Sequence, residues 1–179
     1  MNALAVVVHT VVIAVYPLAV AWAVVTDVRR LIIPNAACVA VAIAFLPAAL
    51  LNDLDAMAIA WHYIVAAALL LAGMAAFARR LAGGGDVKLL AAVAVWIGRD
   101  DIWAYLVLMA LLGGALAVSV LIAARLKRTL PALGRIAWLG NGALRDQPIP
   151  YGAAVGVAAI LMLPHSPALP PSWLAPLPW

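Results

Sequence analysis

The chain has 179 residues, of which 69% are hydrophobic and only 10% charged, with a mean hydropathy of +1.15. A soluble domain is only about half apolar, so this is the composition of an integral membrane protein with little chain left for a soluble module. The net charge of +4 falls in short loops between apolar runs, which sets topology and excludes nucleic acid as a partner, and the lone Cys38 leaves no disulfide framework and no paired cysteines for a metal.

In chain order the apolar segments are 3–25, 31–51, 56–78, 87–97, 102–124 and 149–163. Backbone groups in lipid must be satisfied within the segment, so each is expected to be a helix. The fold class is an all-α integral membrane protein, a polytopic bundle of about six transmembrane helices forming a single domain over 1–179. The first segment has no Lys or Arg before it and is too long for a signal-peptide core, so it is read as a retained span. The fourth is short: eleven residues rise about 17 Å against a hydrocarbon core of about 30 Å.

If all six segments cross, Arg29, Arg30, Arg79, Arg80, Lys88, Arg125, Lys127, Arg128, Arg135 and Arg145 share one side and Arg99 stands alone on the other. A re-entrant fourth segment would spoil this asymmetry. The positive-inside rule therefore favours a full crossing, with both termini extracytoplasmic.

That topology brings two acids together. Asp27 ends the first span and Asp86 begins the fourth, both on the cytoplasmic side, whereas Asp53, Asp55, Asp100 and Asp101 fall in opposite loops and the chain has no glutamate. Gly83, Gly84 and Gly85 precede Asp86, and their missing side chains let another backbone approach the carboxylate. Two carboxylates held close cannot both ionise easily, so one proton is shared and the pair supplies an acid and a base. This suits metal-free peptide hydrolysis, with no cofactor. An aspartate beside arginine at a membrane boundary is also commonly a plain ion pair, and membrane carboxylates serve transporters and proton relays, so an ion or solute transporter is the alternative, with a non-catalytic assembly subunit behind it.

The runs Asp27-Val28-Arg29-Arg30-Leu31-Ile32-Ile33-Pro34-Asn35 and Gly83-Gly84-Gly85-Asp86-Val87-Lys88 resemble the two signatures of the type IV prepilin peptidases, membrane aspartyl proteases of the GxGD type. Pro150-Tyr151-Gly152 resembles a third, weaker feature. The resemblance implies that Asp27 and Asp86 are the catalytic dyad, with Gly83 and Gly85 the glycines of the second motif. It also implies a bacterial inner-membrane enzyme that removes a short basic leader from a prepilin or pseudopilin at the cytoplasmic face. Larger members carry a cysteine-bearing loop and methylate the new N-terminus. This chain lacks that loop and has Asn35 where they have aspartate, so it resembles the short, Tad-type members and the resemblance does not extend to N-methyltransferase activity.

Other residues are expected to support the site. Pro34 restrains Ile33 and fixes how the second helix leaves Asp27. Lys88, two residues beyond Asp86, is read as an interfacial anchor or a cation that stabilises an ionised dyad. The connection 125–148 carries basic and apolar residues suited to lying on anionic lipid, which makes membrane lipid a second partner, while His9, His62 and His165 are expected to be packing or interfacial residues.

Overall fold

The computed structural model describes residues 3–126 and 149–169, and the basic connection and the end of the proline-rich tail lie outside them. Five α-helices and one 3₁₀ turn make up the described chain: α1 (Ala3–Arg30), α2 (Asn35–Leu51), α3 (Ala56–Ala78), α4 (Gly84–Leu126), α5 (Tyr151–Met162) and the turn Leu163–His165. Three stretches are long and apolar enough to cross a membrane, namely Val7–Arg30, Ala56–Ala78 and Gly84–Ala123, and two apolar helices are shorter. Large side chains such as Leu18, Ile43, Leu71, Trp103 and Leu111 stand exposed on the outside. This is the pattern of helices whose surroundings are as apolar as their core.

α4 joins what the sequence presents as two segments. Its 43 residues would reach about 65 Å if straight, twice the hydrocarbon thickness. Gly98 breaks it, with φ 73° and ψ −172°, a conformation essentially restricted to glycine. The chain turns so sharply there that Met109 borders the same cavity as Asp86. The fourth helical segment also starts earlier than the apolar run suggests, at Gly84, because the glycines are already helical.

Packing follows the turns. α1 lies on α2, α3 and α2 on α4, and α5 on both α1 and α4. The centre is a ring cluster: Trp96 lies 4.5 Å from Tyr16 and 5.8 Å from Phe45, and Phe45 stacks on His62 at 4.7 Å. Each polar tip in it finds a backbone carbonyl on another helix. Trp96 Nε1 donates to Val41 O at 2.7 Å, Tyr16 Oη to Ala159 O at 3.2 Å, Tyr105 Oη to Val155 O at 3.2 Å and His62 Nδ1 to Val95 O at 2.7 Å. In lipid such a bond is worth about 0.6–2 kcal/mol and fixes register as well. Beyond the 3₁₀ turn the chain folds inward: Ser166 Oγ donates to Trp96 O at 2.8 Å and Asn52 Nδ2 to Ala168 O at 2.8 Å. The start of the proline-rich tail is thus part of the core, with Ser166, Ala168 and Leu169 buried.

Candidate active site

Asp27 lies within α1 and not beyond its end, since the helix runs on to Arg30 and Leu31 N still bonds Asp27 O at 2.8 Å. The position is set by helical spacing. Val20, Val24 and Asp27 follow at i, i+4 and i+7, one face of the helix. α5 offers Gly156 to the two valines and Gly152 to the aspartate. These glycines form a G-x-x-x-G pair that lets two membrane helices approach closely. The result is a carboxylate only 5% exposed, with Oδ2 buried and lacking a hydrogen-bond partner among the described residues.

Asp86 sits in the first turn of α4, where the positive end of the helix dipole favours an anion. Gly83 precedes that turn, and a Cβ there would collide with Oδ2 of Asp86. The N-terminus of α5 adjoins the aspartates: Gly152 lies against the Asp27 carboxylate, and Tyr151 borders the cavity that Asp27 and Asp86 share.

Both aspartates border one cavity of about 1030 Å³. Its walls are largely apolar, from Leu31, Leu81, Leu90, Met109, Tyr151 and Val155, and Arg80 contributes a cation. A cleft of this size, mostly apolar with a few polar groups, has the make-up of a ligand site.

Of the remaining sequence-selected residues, Gly83 borders the cavity. Gly84 packs under Phe77, and Gly85 lies against Ile33, which in turn reaches Gly152. Pro34, in extended conformation as the N-cap of α2, thus holds a residue wedged between the glycine turn and α5. Lys88 and Asn35 pair with each other, Nζ donating to Oδ1 at 3.0 Å, and border a different cleft from the dyad. His62 is buried against Gly98 at the far end of the bundle, and His9 is buried in α1. Gly152, from the Pro150-Tyr151-Gly152 run, and Gly156, four residues on, also belong to the site, and sequence reasoning gave Gly156 no part in it.

A model of the type IV leader peptidase family matches residues 14–123, which include both aspartates and the glycine run but not α5. No significant match to a curated protein or to a solved structure was found. With more than half of its length matched, and with the two motifs on one cavity, the chain belongs to the type IV leader peptidase family.

Proposed function

We propose that the protein is a membrane-embedded aspartic endopeptidase that removes the short basic leader of type IV (Flp/Tad-like) prepilins at the cytoplasmic face of the bacterial inner membrane. Asp27 and Asp86 are its catalytic dyad. The observation that carries this reading is that two carboxylates from separate helices, in a chain with seven acidic residues, border one cavity, with Gly152 of α5 against Asp27. Six crossings with both termini outside belong to this reading, supported by the break of α4 at Gly98 and by the one-sided basic residues.

In this mechanism the ionised aspartate takes a proton from water as the oxygen attacks the scissile carbonyl, while the protonated aspartate donates to the carbonyl oxygen. Collapse of the tetrahedral intermediate returns a proton to the leaving amine. No covalent intermediate or metal is needed. Apolar walls at Leu81, Met109 and Tyr151 receive the start of the substrate's hydrophobic segment, and the carboxylates favour its basic leader.

Co-expression with a prepilin in cells lacking their own peptidase tests the reading. A shortened pilin should form with the native protein and with neither Asp27→Asn nor Asp86→Asn, each present in the membrane at native level. An unshortened pilin beside the native protein, across several pilins, would refute it.

A further inference from the structure

α2 and α3 both pack on α4 but hardly on each other. At the Gly98 end they are bridged, Tyr63 Oη donating to Ala42 O at 3.2 Å and Phe45 stacking on His62. Toward Asn35 they part. The space left is a slot of about 450 Å³ with α4 as its floor, walled by small and aliphatic side chains such as Val39, Ala42, Ala67, Leu70, Ala92 and Val95. No carboxylate lines it among the described residues; Lys88 Nζ donates to Asn35 Oδ1 at one end, while the Tyr63 hydroxyl at the other is taken up by Ala42 O. An ammonium has further protons to give, and the Asn35 side chain keeps its Nδ2 donors.

The slot is separate from the dyad. Asp86 and Leu90 turn toward the catalytic cavity, whereas Lys88, Ala92 and Val95, on another face of the same helix, turn toward the slot. A peptide engaged at the aspartates therefore lies on the other side of α4. What the slot offers is an open apolar groove with a cation held at one end by Asn35, at the end of the bundle that also carries the exposed Arg29, Arg30, Arg79 and Arg80. That combination is complementary to an amphiphile with one chain and one negative charge.

We propose that this slot binds one anionic phospholipid, an acyl chain lying between α2 and α3 and the phosphate resting on Lys88 and Asn35. The site holds whether or not the chain cleaves peptides. It makes the lipid a structural partner that braces the first turn of α4, two residues from Asp86.

The test is native mass spectrometry of the full chain released from micelles containing equal phosphatidylglycerol and phosphatidylcholine. The native protein should retain one phosphatidylglycerol in preference. Lys88→Gln should lower that preference about fivefold, the worth of one lysine at an anionic surface, and Lys88→Arg should keep it. Ala67→Phe, which fills the slot, should reduce retention of both lipids, with monodispersity confirming that each variant is folded. Equal retention of the two lipids by the native protein, or an unchanged preference in Lys88→Gln, would overturn the proposal. Displacement by millimolar glycerol phosphate would show a headgroup site without a chain, and displacement by the apolar segment of a pilin would assign the slot to a helix. Either result would also overturn it.

Discussion

Gly152 of α5 and Asp27 of α1 are in such close contact that a Cβ on the glycine would stand 2.8 Å from Oδ2 of the aspartate and 2.6 Å from Cδ1 of Ile33. Neither neighbour can yield freely, because Asp27 is buried and Ile33 is wedged against Gly85. Gly152→Ala should therefore push the carboxylate off its position while leaving the bundle inserted. A displacement near 1 Å at a reacting group costs on the order of a hundredfold in rate. Single-turnover cleavage, normalised to membrane abundance, should show that loss, and a rate within threefold of native would contradict it.

The three glycines before α4 should not be equivalent. A Cβ at Gly83 collides with the Asp86 carboxylate itself, one at Gly85 comes within 3.1 Å of Ile33 Cβ, and one at Gly84 meets only the exposed ring of Phe77 at 3.3 Å. Cleavage should fall most in Gly83→Ala, less in Gly85→Ala and least in Gly84→Ala. The same assay on the three variants gives the order directly.

Gly98 is a stability position and not a catalytic one. Its backbone conformation is open essentially to glycine alone, and an added Cβ would also run into the His62 ring. Gly98→Ala should cost about 1–3 kcal/mol from backbone strain, with the ring clash in addition. Denaturation in detergent measures it. His62→Ala removes the clash but not the strain, so the double variant should be less destabilised than the sum of the single ones.

Topology is testable from the sides on which loops are found. In a Cys38→Ser background, a cysteine introduced at Ala82 should react with a membrane-impermeant maleimide only in inverted vesicles, and one at Asp53 only in intact spheroplasts. The reverse pattern would place the aspartates on the outer face and remove prepilin leaders as substrates.

The helices were legible in the sequence because lipid leaves a long apolar run one outcome. Asp27 and Asp86 also stood out there, as acids at the edges of such runs. Helix ends were harder to read: Asp27 and the glycines mark breaks by composition, yet α1 continues through Asp27 and α4 takes in Gly84 and Gly85. The break over Gly98 to Asp101 was legible as a glycine followed by three charges, and within it the turn itself is made by the glycine. The part played by α5 was legible only as the Pro150-Tyr151-Gly152 run, which does not say what Gly152 touches. Gly152 reaches Asp27 through tertiary packing, and its spacing to Gly156 signals a close helix approach. Lys88, adjacent to the motif, was the opposite case, for sequence proximity to Asp86 does not put it in the dyad cavity.

The most direct test of the central claim is intact-mass measurement of a prepilin co-reconstituted in liposomes with the purified native protein, Asp27→Asn or Asp86→Asn. Loss of the leader mass with the native protein, and at least about a hundredfold slower loss with either variant, is the expected result for a dyad that acts as acid and base. Cleavage at the native rate by either variant would contradict it.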